Sequence, residues 1–582
     1  MVLRTLCVYV LIIIVINTIL TVESKHQRKK FNKHRKPVVI TVDNEKPQIQ
    51  LKNGLTIVGK VNRTNQNNVY YEFQGIPYAK PPVGDLRFKP PVPLSEYFFG
   101  KILNATKDAP VCVQSNIIPT KVIGSEDCLY INVYVPQLPQ QNMTLLPVMV
   151  WIYGGAFVGG DSRYTSFGPD YFIDEKNVII VSFNYRLGIF GFLSTEDDAS
   201  PGNYGLKDQI LALKWVQKNI ESFGGNREQV TIFGESAGSA SVSYLTQTPL
   251  TNGLFKGAIF ESGSSLCLWS LTRNPMSITI IIASILKSNM ASSQTIVNSL
   301  RNVDYKTLQT VAAMVDIGNM LVGNPLNGLP FGPTLEPPHP GAVIVNKSYE
   351  QLANGLFHNI SYLIGFNSLE AIPFVNVINT LRLYLLKYDL DPTALVPASM
   401  NIYDYSTKLE VNNHIKKYYF GLDPIVISNI SLLEFVSDDE FVRPILKTTQ
   451  FISQRSSTYL YEFSYEGSLG SQNRTTGVGH AEELYYLWKI QGTTAYVTQS
   501  DLLTIRRLVR LWTNFAKNGN PTPVTDSLLE NVIWPRANAG NSSLAYLNIG
   551  SNLTTGVNPD NKNIKFWNDL FRKYGNPPYS TY

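Results

Sequence analysis

Val230-Thr231-Ile232-Phe233 leads directly into Gly234-Glu235-Ser236-Ala237-Gly238, and residues 240–245 continue in types that a helix accepts. A strand that turns at once into a helix lifts the residue at the apex, here Ser236, clear of the sheet. It needs small residues two places before and two after, so that the backbones can approach. Gly234 and Gly238 meet that need. So short a pattern also arises by chance, and its surroundings must carry the weight. Apolar runs at 148–153, 178–185, 229–233, 257–261, 360–366 and 458–465 read as strands, several apolar on both faces as in a buried parallel sheet. Between them Leu206, Ile210, Leu213, Val216, Ile220 and Phe223 recur at helical spacing, and Gly224-Gly225 closes the run. A second stripe, Leu502, Ile505, Leu508, Val509, Trp512 and Phe515, predicts a helix over 500–517 with Gly519 beyond it. The alternation implies an α/β fold, a large, mostly parallel central sheet with helices on both faces.

A serine hydroxyl is a poor nucleophile at neutral pH. It needs a base, a carboxylate to orient the base, and N–H donors for the oxyanion. Among six histidines, His26 and His34 lie in a basic N-terminal stretch, His339 sits between prolines, His358 precedes a strand and His414 belongs to a polar helical run. His480 stands in a Gly-rich loop after the 458–465 strand, where a base for a sheet-top nucleophile is expected. With chain order Ser, acid, His, Glu370 in the loop after the 360–366 strand fits best, and Glu336 is the alternative. Gly154-Gly155-Ala156 follows the 148–153 strand as a source of N–H donors.

With 582 residues, 44% hydrophobic and 16% charged, the chain can bury a large core and is not predominantly disordered or fibrous. Its net charge of +6 is concentrated: residues 1–36 hold eight basic side chains against Glu23, a net of +7, which leaves the body at −1. No basic face is therefore expected on the body, and nucleic acid is not expected as a partner. Arg4, an apolar run over 6–16 and smaller polar residues to Ser24 read as a signal peptide over 1–24. The basic cluster after the apolar run, rather than before it, disfavours an uncleaved anchor. No later run has the roughly 18 apolar residues needed to span, so no stable membrane insertion is expected after cleavage. Residues 25–37 are too charged to pack and read as a disordered tether, whose sharper use is a weak polyanion contact through residues 25–36. Residues 38–582 show no break and read as one domain.

The secretory route gives meaning to Asn-x-Ser/Thr sequons at Asn62, Asn104, Asn142, Asn346, Asn359, Asn429, Asn473, Asn541 and Asn552, of which the loop-borne ones are expected to carry sugar. Outside the signal stand Cys112, Cys128 and Cys267, so one disulfide at most, with Cys112–Cys128 the expected pair. HExxH and CxxC patterns are absent, and neither metal nor cofactor is expected.

Further segments extend the pattern: Phe73-Gln74-Gly75-Ile76-Pro77-Tyr78-Ala79, Pro81-Pro82-Val83-Gly84, Leu86-Arg87-Phe88, Glu126-Asp127-Cys128-Leu129, Asn184-Tyr185-Arg186-Leu187-Gly188 and Trp567. With the Gly-Glu-Ser-Ala-Gly turn, they make the chain resemble the type B carboxylesterases of the carboxylesterase and cholinesterase family, and among these the secreted arthropod esterases. The resemblance implies an α/β-hydrolase fold over nearly the whole body. It also implies Ser236 as nucleophile, His480 as base and then acid, Glu370 as orienting carboxylate, and an oxyanion hole from the N–H groups of Gly155, Ala156 and Ala237. Arg87 with Glu126 and Arg186 with Asp208 would be buried structural pairs, Cys112–Cys128 the family's first disulfide, and Cys267 a free thiol.

Departures narrow the substrate. Cholinesterases place a choline-stacking Trp in the loop between those first two cysteines, and here that loop has no aromatic residue. Juvenile hormone esterases usually carry Gln before the serine, where Glu235 stands, and adhesion-type members lose triad residues. Leu329 and Phe331 match acyl-pocket positions, which implies an apolar acyl group of limited size. The expectation is a secreted serine esterase acting on neutral, small-molecule carboxylic esters through an acyl-enzyme. The alternatives are an esterase specialised for a hormone, pheromone or other lipid-like ester, and a non-catalytic binding or adhesion member.

Overall fold

The computed structural model describes residues 46–94, 102–115, 121–322, 328–374, 382–470, 477–493, 495–538 and 543–582. The expected signal peptide and tether, and the sequons Asn473 and Asn541, lie outside them. The chain divides into Met1–Lys46 and Pro47–Tyr582, and the description below concerns the second unit.

Eleven strands among the described residues form its main sheet: β1 Lys60–Arg63, β2 Val69–Pro77, β3 Tyr130–Val135, β4 Leu146–Ile152, β5 Ile179–Phe183, β6 Gly225–Glu235, β7 Gly257–Glu261, β8 Ser361–Asn367, β9 Thr458–Phe463, β10 Ala545–Ile549 and β11 Leu553–Val557. Their spatial order is β11-β10-β9-β8-β7-β6-β4-β5-β3-β2-β1. Every neighbouring pair from β10 across to β5 is parallel. Strands β1 to β3 at one edge and β11 at the other pair antiparallel. β5 and β7 are buried at every position, as strands of a sheet covered on both faces must be. The apolar run at 178–185 outlasts its strand by two residues. Asn184 keeps its N–H on Tyr130 O of β3, while its side chain accepts from the Ser162 N–H and its carbonyl from the Tyr78 hydroxyl.

The helices used below are α1 Tyr204–Asn219, α2 Ala237–Leu245, α3 Arg443–Ser453, α4 Gln499–Asn518 and α5 Asn561–Tyr574. The stripe from Leu206 to Phe223 crosses two elements: α1 tightens into a 3-10 turn at Ile220–Phe223, which Gly224 ends with a left-handed φ of 83°. α4 begins one residue before the expected start because Thr498 and Asp501 form a reciprocal capping box, and Gly519 caps its end.

Two buried ion pairs brace the sheet. Arg87 meets Glu126 at 2.7 and 2.6 Å, and Arg186 meets Asp208 at 2.8 and 2.7 Å. Arg186→Met strands the fully buried Asp208 carboxylate, and removing one partner of such a pair costs about 3–5 kcal/mol. Denaturant unfolding should show that loss; a loss under about 1 kcal/mol would mean that Asp208 finds another partner.

Cys112 and Cys128 are disulfide-bonded, and Cys267 is buried with a free thiol. Asn104, Asn142, Asn346, Asn359, Asn429 and Asn552 are exposed. Three sequons are not loop-borne: Asn104 ends the Ile102–Asn104 strand, Asn429 opens the Asn429–Ser437 helix, and Asn62 lies in β1, half-buried, where its Nδ2, the atom a glycan would take, donates to Glu72 and Tyr70. No helix among the described residues is long and apolar enough to cross a membrane.

Candidate active site

β6 ends at Glu235 and α2 begins at Ala237, so Ser236 alone makes the turn, at φ 57° and ψ −123°. A side chain rarely adopts such a backbone, and the neighbours enforce it. The Ser236 N–H donates to Glu261 O (2.9 Å), and its carbonyl accepts from Ala240 N (2.9 Å). A Cβ on Gly238 would stand 1.9 Å from Ile152 O, so the turn packs directly on the end of β4 and admits no side chain there. A Cβ on Gly154 would likewise stand 2.9 Å from Ser236 Cβ. The sheet thus brings the 154–156 turn against Ser236.

In that turn Gly155 and Ala156 have φ of 105° and 55°. The Gly155 carbonyl is taken by Val158 and Gly159. The N–H groups of Gly155 and Ala156 have no protein acceptor among the described residues. Ala237 opens α2, so its N–H belongs to the first turn, which has no intrahelical acceptor and lies at the positive end of the helix dipole.

His480, from the loop after β9, is largely buried between two carboxylates. Its Nδ1 lies 2.7 Å from Glu370 Oε2, and Glu370 Oε1 accepts from Asn367 N at 2.7 Å. The His480 N–H donates to Glu370 O, which fixes the two loops together. Its Nε2 lies 3.0 Å from Glu235 Oε1, beside Ser236 in the chain. Burial alone would push the imidazole down, but Glu235 and Glu370 together outweigh it and hold His480 well above its ordinary value.

More acid lies nearby. Glu261, at the end of β7, accepts from Trp512 Nε1 at 2.7 Å, and burial raises its carboxyl well above the usual range. Glu483 accepts from Asn367 Nδ2 at 2.5 Å and is pushed up to about 8 by burial and then by Glu235 and Glu370. Close, buried carboxyls do not all ionise together, and burial with the neighbouring carboxylates favours the protonated forms of Glu261 and Glu483. The rings of Phe441 and Phe374 lie 4.7 and 5.5 Å from the His480 ring, and Trp269 lies 5.8 Å beyond Phe441, an apolar wall beside the imidazole.

Glu336, the alternative acid, is engaged elsewhere: it holds Lys207 (2.6 Å), Asn203, His339 and the N–H of Val343. His358 bonds Thr248 O and stacks on Phe255, and His414 bonds Tyr574. Leu329 and the buried Phe331 lie on a loop tied down by Thr272, which donates to Leu329 O. A Cβ on Gly332 would touch Phe157, next to Ala156, which sets this loop near the 154–156 turn.

A model of the carboxylesterase family matches residues 45–567. The chain belongs to the carboxylesterase family. It is therefore a carboxylic ester hydrolase of the α/β-hydrolase fold. This carboxylesterase is 37% identical to the juvenile hormone esterase of Tribolium castaneum over 82% of its own chain and 84% of that protein. It is 33% identical to venom carboxylesterase-6 of Apis mellifera over 91% of its chain and 95% of that protein. Among solved structures it is similar to the juvenile hormone esterase of Manduca sexta, determined with OTFP covalently attached. That match has a TM-score of 0.79 and 28% identity, covering 91% of this chain and all of that one.

Proposed function

We propose that this carboxylesterase is a secreted serine esterase that hydrolyses neutral carboxylic esters through an acyl-enzyme. The observation that carries the reading is the 2.7 Å contact of Glu370 with His480 Nδ1, while His480 Nε2 lies 3.0 Å from Glu235, the residue before Ser236. Ser236 Oγ attacks the ester carbonyl as His480 Nε2 takes its proton. The oxyanion is received by the N–H groups of Gly155, Ala156 and Ala237, and the alcohol leaves with the proton from His480. Water, activated by the same nitrogen, then attacks the acyl-Ser236 carbonyl, and the acid departs. Glu370 orients the ring and stabilises the imidazolium. OTFP bound covalently in the Manduca protein supports a covalent route. Secretion is supported by the signal-like N-terminus and the exposed sequons.

The base works only when Nε2 is free of its proton, so kcat/KM rises with pH through the raised His480 value. Glu235→Gln removes the first of the carboxylates that raise it, and the acid limb of the profile should move to lower pH. An acid limb that stays in place would show that the Glu235 contact does not govern the base.

For substrate, the apolar wall of Phe374, Phe441 and Trp269 and the likeness to juvenile hormone esterases favour a lipid-like ester as the narrower reading. A series of 4-nitrophenyl esters from acetyl to decanoyl tests it. The expected result is hydrolysis with a chain-length optimum; no hydrolysis by folded protein would favour a ligand-binding member instead.

A further inference from the structure

A cavity of about 430 Å³ between α3 and α5 takes no part in this chemistry. Its volume falls within the roughly 300–1,000 Å³ of small-molecule sites. Cationic side chains dominate its walls: Arg443 and Lys447 from α3 face Lys565 and Arg572 from α5, against one acidic side chain, Asp569. Asp569 is taken by Arg572, and Arg443 by Asp439. Asp560, next to the lining Pro559, is engaged with Asp438. Lys447 and Lys565 are left without an acidic partner among the described residues.

Lys447 is the more telling of the two. Among the described residues its Nζ meets Gln450 Oε1 (3.1 Å) and the faces of Tyr582 and Phe451, at 4.8 and 5.3 Å. Burial, with nothing to offset it, lowers its pKa to about 8. Behind it Arg443, 1% exposed, is enclosed by the rings of Trp567, Phe571 and Tyr582, and its Nε and Nη1 have no acceptor among the described residues. Buried donors without acceptors are costly, and an anion at this wall would lessen the cost. The remaining lining includes Leu446, Leu544 and Ile564, which bare phosphate could not cover.

We propose that this cavity binds an amphipathic carboxylate, its head on Lys447 and Lys565 and its chain along Leu446, Leu544 and Ile564. Such an acid is either the product that Ser236 releases or one from the surrounding fluid, and the binding itself does not rest on the esterase reading.

The test is calorimetric titration of carboxylates from acetate to decanoate into Ser236→Ala protein, with octanoate as the reference probe. Octanoate should bind, and Lys447→Gln with Lys565→Glu should weaken binding by about tenfold or more, as loss of charge-assisted contacts does. The same pair of changes, made with Ser236 intact, should leave 4-nitrophenyl ester hydrolysis unchanged, which separates this site from the catalytic one. Tightest binding at the acyl length hydrolysed fastest would assign the ligand as product; a different length would assign an outside acid. Absence of octanoate binding, affinity unchanged in the double variant, or displacement by equal inorganic phosphate would each overturn the proposal.

Discussion

Ser236→Ala should lower kcat/KM toward a 4-nitrophenyl ester by about 10⁴-fold or more, because in the proposed mechanism the Ser236 hydroxyl forms the covalent bond. The protein should stay folded. Alanine keeps the Cβ already accommodated at φ 57°, and the backbone bonds to Glu261 and Ala240 do not involve the hydroxyl. Residual hydrolysis would come from the oxyanion donors alone. A loss under about tenfold would mean that another group carries the chemistry.

Glu370→Gln should be nearly as severe, with kcat falling about 10³–10⁴-fold and KM changing little. The carboxylate is fully buried, receives His480 Nδ1 through one oxygen and Asn367 N through the other. An amide has one acceptor where both oxygens were used. Either the Asn367 N–H loses its partner, or the amide NH₂ faces Nδ1 and selects the tautomer that puts the proton on Nε2, which disables the base. A small effect would contradict the assigned role and point to Glu235 as the working carboxylate.

The strand–turn–helix around Ser236 was legible because its constraint is local: Gly234 and Gly238 are demanded by backbone contact within a few residues and by one neighbouring strand. α1 and α4 were legible for the same reason, their stripes and terminal glycines being written in order along the chain. Glu370 could be ranked above Glu336 by its place at a strand end, but only folding shows that Asn203 and Lys207 hold the latter. Glu235 stood at the variable position of the Gly-x-Ser-x-Gly pattern, so nothing marked it as the second carboxylate on His480. Phe441 and Phe374 reach the base from segments without a motif, Phe441 from a π-helical turn at Asp438–Val442. Glu261 and Glu483 read as ordinary acids, since burial is a property of the assembled sheet. The cationic cavity joins α3 to α5, more than a hundred residues apart, and no local pattern announces it.

The central claim is that Ser236 is an activated nucleophile, and covalent labelling tests it most directly. Secreted wild-type protein is treated with an organophosphate and read by intact mass and peptide mapping. The account predicts one phosphoryl group per chain, on the peptide carrying Ser236, and none on Ser236→Ala or when His480 is replaced by alanine. Absence of labelling in folded wild-type protein, or a label on a different residue, would contradict it.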